Sequence, residues 1–306
     1  MLKLIFQRLL QGIAVLFILL TLTFFLVRQL PGNPFTDERA LPPHVMEELS
    51  ARYGIDRPIH VQYGIYLTQL ARGEMGPSFK RPTRRVSEII AQSFPVSFVV
   101  GTSAMVLALL IGIPAGVISA VRRNTAVDYS TMTLALLGIC LPTFVIGPLL
   151  ANSLGLWTGW FPVSGWGSPF HIVLPALTLA LPTGAYIARL TRGGMLDILS
   201  QDFIRTARAK GLPERTILIR HALRGGLVPA IAYLGPAYAV IISGSFVVET
   251  IFQLPGMGQH FVNAPGDRDY MLIQGIVLFY GILIVAANLS ADLLQMWLDP
   301  RSRAAA

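Results

Sequence analysis

The sequence predicts an all-α, polytopic membrane protein with six transmembrane helices. Apolar residues make up 53% of the 306 residues and charged residues only 13%, about half of their share in soluble domains. Several apolar stretches reach the roughly 20 residues that a helix needs to cross a bilayer. When six spans are assumed, the basic residues of the short connections collect on one side, apart from a single arginine. Both termini are therefore expected in the cytoplasm.

The first transmembrane helix is predicted within residues 1–30. An apolar run from Leu9 to Val27 follows Lys3 and Arg8. The run is too long for the apolar region of a signal peptide, and no small-residue cleavage site follows it. We therefore expect an uncleaved helix that remains in the protein.

Residues 31–95 are predicted to form a periplasmic loop region, because they are polar, rich in proline and nearly balanced in charge. Apolar residues at helical spacing predict two short helices, within His44–Tyr53 and Val61–Leu70. A third short helix, Val86–Phe94, is expected at the membrane interface. The basic residues of this region do not contradict a periplasmic location, since long loops cross a membrane largely regardless of charge.

Residues 96–306 are predicted to form a five-helix transmembrane domain. In chain order its apolar runs are Val96–Val121, Thr131–Leu156, His171–Leu190, Leu227–Phe252 and Met271–Trp297. Pro142 and Pro148 interrupt the second run, and prolines within helices cause kinks. The loop Trp157–Phe170 contains three tryptophans and no charge, which is typical of a non-cytoplasmic membrane interface.

A basic stretch, Asp202–Pro229, dominates the connection at about residues 192–227. Its apolar residues recur at steps of three and four, which predicts short amphipathic helices. Gly211 is the expected end of the first helix, because glycine adopts the left-handed conformation without steric cost. Pro213 suits the first turn of the second helix. Two short helices with a fixed break are predicted, and the alternative is a basic tether that only reflects membrane topology.

The sequence lacks the residues that several function classes require. It has no GxxxxGK[ST] phosphate-binding loop, and its single cysteine, Cys140, permits no internal disulfide. The five histidines are scattered, so neither a metal site nor a cofactor is expected. The net charge of +8 can be interpreted only after the basic residues have been assigned to one side of the bilayer. It therefore does not indicate a nucleic-acid partner.

Acidic residues in the predicted spans are limited to Glu249 and Asp292, and each is expected near a membrane surface and partly solvated. Ion-coupled carriers usually place ionisable groups near the midplane. We therefore predict a translocation pathway without an energy source of its own, which receives energy through the basic connection. Glu249 is a weak candidate for a pathway residue. The alternatives are a self-powered carrier or channel, or an intramembrane enzyme with serines such as Ser243 and Ser245.

Several motifs resemble the permeases of ATP-binding-cassette (ABC) importers. The segment TARAKG at 206–211, followed by RHAL at 220–223, is similar to their coupling loop. Further matches are ETIF at 249–252, PGMG at 255–258, DY at 269–270, QG at 274–275, NL at 288–289 and DPR at 299–301. More narrowly, the chain resembles the oligopeptide, dipeptide and nickel permease group over its whole length.

The resemblance implies a type I ABC importer permease fold in a bacterial inner membrane, with the basic connection contacting an ATPase. The implied coupling residues are Arg205, Thr206, Ala207, Arg208, Ala209, Lys210, Gly211, Leu212, Pro213, His221 and Leu223. Arg205 and Thr206 stand where the broad family motif has Glu-Ala, and Arg224 stands where it has proline. Ala207 and Gly211 fit the motif.

The resemblance also implies the partners. They are a second, homologous permease subunit, two cytoplasmic ABC ATPase subunits and a periplasmic peptide-binding protein, all assembled at the lipid bilayer. ATP hydrolysis is then expected on the partner subunits, and this chain is not expected to be an enzyme. Oligopeptides are the implied cargo, with dipeptides, nickel or haem as alternatives, because no residue pattern in the sequence indicates a peptide site.

Overall fold

A computed structural model describes residues 2–29, 54, 56–81, 83–243 and 245–298, and within them the chain is helical. The helices are α1 (Leu2–Val27), α2 (Ile59–Ala71), α3 (Val86–Val121), α4 (Ala126–Cys140), α5 (Thr143–Leu150), α6 (Phe170–Leu199), α7 (Asp202–Ala209), α8 (Glu214–Thr216, Ile217–Ala222 and Leu223–Gly226 in one run), α9 (Val228–Ser243), α10 (Phe246–Ile251), α11 (Met257–Gly266) and α12 (Tyr270–Leu298). The predicted helix His44–Tyr53 and the motif at 299–301 lie outside the described residues.

The predicted all-α, polytopic architecture is confirmed. In the described part of the chain, α1, α3, α6, α12 and the run formed by α9 and α10 are long and apolar enough to cross a membrane. The pair α4 and α5, with the π-helical turn Ala151–Trp157 that follows it, is bent by 106° and makes a sixth span if it counts as one. The structure thus has five candidate spans, or six.

The separate interfacial helix predicted at Val86–Phe94 is wrong, because α3 runs without a break from Val86 to Val121. The side chains of Val86, Ile89 and Ile90 are buried in the core, and this packing stabilises the first turns. Pro95 removes only one backbone hydrogen bond within the helix. With 36 residues, α3 is about 54 Å long, so it extends beyond a hydrocarbon layer of about 30 Å.

The predicted span Thr131–Leu156 is not one helix. Its first part ends at Cys140, and Leu141 takes an extended conformation with ψ 121°. The residue before a proline disfavours the helical conformation because of a clash with the proline ring. Pro142 therefore ends α4 and starts α5 in a new direction.

The interface between α3 and α6 is the most extensive helix contact in the described bundle. A Cβ atom added at Gly112 would lie 2.5 Å from the carbonyl oxygen of Gly184, and one at Gly116 would lie 2.5 Å from that of Ala188. Small residues allow such close approach of two backbones in membranes. The same helix α6 continues to Leu199, nine residues beyond its predicted end at Leu190.

Helix α2 confirms the prediction for Val61–Leu70 and packs against the end of α1. The Arg28 guanidinium lies 3.4 Å from the centroid of the Phe24 ring and donates to Oε1 of Gln62 at 2.8 Å. The ring of Tyr66 stacks on Phe24 at 5.5 Å. Burial lowers the pKa of Arg28 to about 10 and raises the pKa of Tyr66 to about 12. Arg28 therefore remains charged at neutral pH and joins the loop region to the bundle.

Candidate functional site

The basic segment (residues 202–226) contains the break that the sequence predicted. Gly211 has a φ of +77°. Its N–H donates to the carbonyl oxygen of Arg208 at 2.9 Å, and the N–H of Leu212 donates to that of Ala207 at 3.3 Å. These two bonds define a Schellman motif, the common termination of a helix at a left-handed glycine. The end of α7 is therefore defined by backbone geometry.

Pro213 lies just before α8, and not in its first turn as predicted. Its ψ of 141° is extended, and the helix begins at Glu214. Arg208 donates from Nε to Oε1 of Glu214 across the break at 2.7 Å. Both side chains are about half exposed, with values of 46% and 60%, and exposed ion pairs contribute little. The direction of α8 relative to α7 therefore depends on the backbone at Gly211.

The apolar face of the basic segment is packed on the ends of two long helices. Ile204, Ala207, Ile217 and Ala222 form one buried cluster with Ala120 of α3 and Met195 of α6. Leu212 is not part of this cluster and is 37% exposed, because it follows the glycine that turns the chain. The segment is thus docked on the bundle and is not a loose loop.

The structure divides the predicted coupling residues into two groups. The exposed ones are Arg205, Thr206, Arg208, Ala209, Lys210, Gly211, Leu212, Pro213 and His221. Ala207 is buried and Leu223 is partly buried. The first group is accessible to another protein, whereas the last two hold the segment on the bundle.

A polar cluster beside the basic segment includes Asp128, which our sequence reasoning missed. Its carboxylate accepts hydrogen bonds from Nε and Nη2 of Arg192 at 2.7 and 2.8 Å. It also accepts from the Ser119 hydroxyl and from the Asn124 N–H at 2.9 Å. Asp128 lies in the connection between two predicted spans, where an acidic residue is expected to face solvent and gives no indication of a buried site. An acidic residue in the first turn of a helix was the available signal.

Glu249 is fully buried, so its predicted partial solvation is wrong. Its Oε1 accepts hydrogen bonds from the hydroxyls of Ser97 and Ser245, each at 2.7 Å. Its Oε2 accepts from the N–H of Gly258 at 2.8 Å, and Ser97 also accepts from the N–H of Met257 at 2.9 Å. The motif at 255–258 is therefore wrapped around this carboxylate. Asp292, by contrast, is partly exposed and pairs with Arg8 at 3.0 Å.

We expect Glu249→Ala to lower the amount of folded subunit. The substitution leaves the Ser97 hydroxyl and the Gly258 N–H without their acceptor, and an unsatisfied buried group costs about 1–3 kcal/mol. The Ser245 hydroxyl keeps the carbonyl oxygen of Ile242 as an acceptor. Glu249→Gln should have an intermediate effect, because its amide oxygen still accepts but its NH₂ group faces the Gly258 N–H. The folded fraction after heating in detergent measures the effect, with Asp292→Ala as the partly exposed control. If the Glu249→Ala variant were as heat-resistant as the wild type, the hydrogen bonds of Glu249 would not stabilise the fold.

Asp269, the first residue of the DY motif at 269–270, has a structural role. It precedes α12, and its Oδ1 accepts from the N–H of Leu272 at 3.1 Å and from that of Phe79 at 3.0 Å. The Ser78 hydroxyl donates to its Oδ2. Asp269 therefore caps α12 and fastens the region before α3 to it.

Apolar helices of membrane-spanning length, with a docked basic segment between α6 and α9, define a polytopic membrane protein with a structured basic connection. Residues 112–304 match the family described as "Binding-protein-dependent transport system inner membrane component". Residues 1–101 match the family described as "Binding-prot-dependent transport system membrane comp, N-term". The chain belongs to this family: it is a permease subunit of an ABC importer in the inner membrane, and not an enzyme.

Known relatives match nearly the whole chain. The oligopeptide transport system permease protein OppB of Escherichia coli K12 is 47% identical over 305 residues, which is 99% of this chain and 100% of that protein. The dipeptide transport system permease protein DppB of Bacillus subtilis is 43% identical over 288 residues, 94% of each chain. These relatives confirm the resemblance of the chain to the permeases of oligopeptide and dipeptide systems.

Solved structures share the fold at low sequence identity. A chain of the MetNI methionine ABC transporter in an inward-facing conformation has a TM-score of 0.58 and 16% identity, covering 70% of this chain and 97% of that one. An amino acid ABC transporter gives 0.54 and 14%, covering 68% and 94%. The fold predicted from the motifs, that of an ABC importer permease, is confirmed.

Proposed function

We propose that this chain, with a second and homologous permease subunit, forms the pathway through which peptides enter the cell. Two cytoplasmic ABC ATPases supply the energy, and a periplasmic peptide-binding protein delivers the cargo. The family description names binding-protein dependence, and the relatives described above are permeases of oligopeptide and dipeptide systems. Oligopeptides are the proposed cargo, with dipeptides as the nearest alternative.

We infer that the basic segment is the part of the chain that contacts an ATPase. This proposal rests on the hydrogen-bonded helix break at Gly211, which lies in a segment whose apolar face is docked against α3 and α6. A motion of an ATPase passes to the spans only through a connection that does not bend. The docked segment meets that requirement, and its exposed basic residues provide the contact surface.

The proposed orientation places the basic segment and both termini in the cytoplasm, and residues 31–95 in the periplasm. The ion pair between Arg8 near the start of α1 and Asp292 near the end of α12 supports termini on one side of the membrane. The distribution of basic residues supports the cytoplasm as that side. The peptide-binding protein would then dock at the end of the bundle that carries α2 and α11.

Site-directed cross-linking tests the ATPase contact. In a Cys140→Ser background, Thr206→Cys and the matched control Thr125→Cys are labelled with a photoreactive maleimide. Both positions are exposed, and both belong to the proposed cytoplasmic side. In the assembled complex we expect Thr206→Cys to cross-link to an ATPase and Thr125→Cys to do so much less. Equal yields at the two positions, or none at 206, would refute the proposed contact.

A further inference from the structure

We propose that the ion pair between Asp128 and Arg192 makes α4 and α5 move together with the basic segment during transport. Asp128 and Arg192 are positioning residues in this proposal, since they act through the helices that they join. The inference rests on the coupling role proposed above for the basic segment. It adds the route by which a displacement of that segment reaches the bent pair α4–α5.

The geometry of the ion pair fixes both distance and direction. Nε and Nη2 of Arg192 each contact a different oxygen of Asp128, at 2.7 and 2.8 Å. Such a two-point contact defines the orientation of the guanidinium as well as its distance. Ser119 and the Asn124 N–H supply the other two donors, so about four lone-pair sites of the carboxylate are occupied. The Asp128 side chain is only 2% exposed, and that of Arg192 is 28% exposed.

The ion pair lies next to the cluster on which the basic segment is docked. Ser119 precedes Ala120 in α3, and Arg192 is one helical turn before Met195 in α6. Ala120 and Met195 form the buried cluster with Ile204 of α7. A displacement of α7 would therefore be transmitted to α3 and α6 at a point next to the ion pair.

Helix α4 also packs on α6 near its other end, where Gly138 lies opposite Leu181 and Ala185. Only two of its fifteen residues are buried, namely Asp128 and Ala135. The helices α3 and α6, in contrast, are held together by close backbone contacts at Gly112 and Gly116. Loss of the ion pair would therefore leave the α3–α6 unit intact and release from it the end of α4 that carries Asp128, while the Gly138 end stays packed on α6. This difference makes a coupling role for the pair separable from a role in folding.

The proposal is tested by measuring peptide uptake and ATP hydrolysis of the complex, reconstituted with its ATPases and binding protein. Asp128→Asn keeps the size of the side chain but removes the charge and one acceptor of the two-point contact. We expect basal ATP hydrolysis close to the wild type and a fall in peptide uptake per ATP of at least about fivefold, the lower range of allosteric coupling. Asp128→Leu combined with Arg192→Met, and with Ser119→Ala to remove the buried hydroxyl that loses its acceptor, should have the same effect. Apolar side chains in place of a buried ion pair fold well but do not fix a direction.

This combined variant separates positioning from stability. If the ion pair only stabilised the fold, the apolar pair would restore uptake together with the amount of folded complex, and this result would overturn the proposal. Unchanged uptake per ATP in Asp128→Asn would overturn it as well. Asp292→Asn, which breaks the pair between α1 and α12, is the matched control and should couple normally.

A parallel measurement on Gly211→Val distinguishes a failure of the ion-pair proposal from a failure of the role proposed for the basic segment. If Gly211→Val loses coupling and Asp128→Asn keeps it, the ion-pair proposal fails alone. If Gly211→Val couples normally, the role of the basic segment fails, and the ion-pair proposal fails with it. If both variants lose coupling at normal basal hydrolysis, both proposals are supported.

Discussion

Replacing Gly211 by valine should abolish peptide uptake while the subunit is inserted at nearly normal abundance. The φ of +77° at this position is left-handed, and a β-carbon there costs roughly 1–2 kcal/mol. A Cβ atom would meet no neighbour within 4 Å, so the strain lies in the backbone and not in packing. The segment relieves it by leaving the left-handed conformation, which breaks the Schellman motif and changes the direction of α8 relative to α7.

Two control variants separate the conformation of Gly211 from its size. Gly211→Asn should retain most uptake, because asparagine tolerates the left-handed region better than valine. Gly193→Val adds the same side chain to an exposed position of α6 with no neighbour within 4 Å and should transport well. Uptake and peptide-stimulated ATP hydrolysis of the assembled complex are the measurements. Wild-type transport by Gly211→Val would show that the segment is only a tether.

The variant Gly116→Val should prevent accumulation of the folded subunit. Its Cβ would lie 2.5 Å from the Ala188 carbonyl oxygen and 2.6 Å from Cβ of Thr191. Overpacking by even a few methyl groups costs typically 1–3 kcal/mol, and here the obstacle is a backbone that must move. Since α3 and α6 form the main helix contact of the bundle, we expect this substitution to have the largest effect on stability.

Abundance in membranes and the folded fraction in detergent measure this effect. Gly64→Val in α2 is the matched control, since it is also a helical glycine but has no neighbour within 4 Å. We expect the control to accumulate normally. If Gly116→Val accumulated and resisted heat as well as Gly64→Val does, the close contact of α3 with α6 would not be essential to the fold.

Features that depend on local sequence were predictable. The apolar runs identified the spans because length and hydropathy suffice for that purpose. The break at Gly211 followed from the conformational freedom of glycine and from a proline two residues later. The motifs of the basic segment were specific enough to identify the family. Each of these signals is contained within a few neighbouring residues.

Features that depend on tertiary contacts were not predictable. Val86 to Phe94 belongs to α3 because other elements bury its first turns, which the local sequence does not show. Glu249 is buried because Ser97 and Gly258 approach it from distant parts of the chain. The partnership of Asp128 with Arg192, 64 residues away in sequence, has no local signature either. Charged residues near predicted span ends therefore require a structure before they are assigned to solvent.

The central claim is that separate ATPases, acting through the basic segment, power transport along the pathway. The most direct test uses vesicles that contain the complete complex, ATP on the ATPase side and ionophores that abolish proton and sodium gradients. Labelled oligopeptide is supplied with the binding protein on the other side. We predict uptake that is unaffected by loss of the gradients and stops when ATP is omitted. Uptake that stops with the gradients while ATP is maintained would contradict the claim and indicate a secondary carrier.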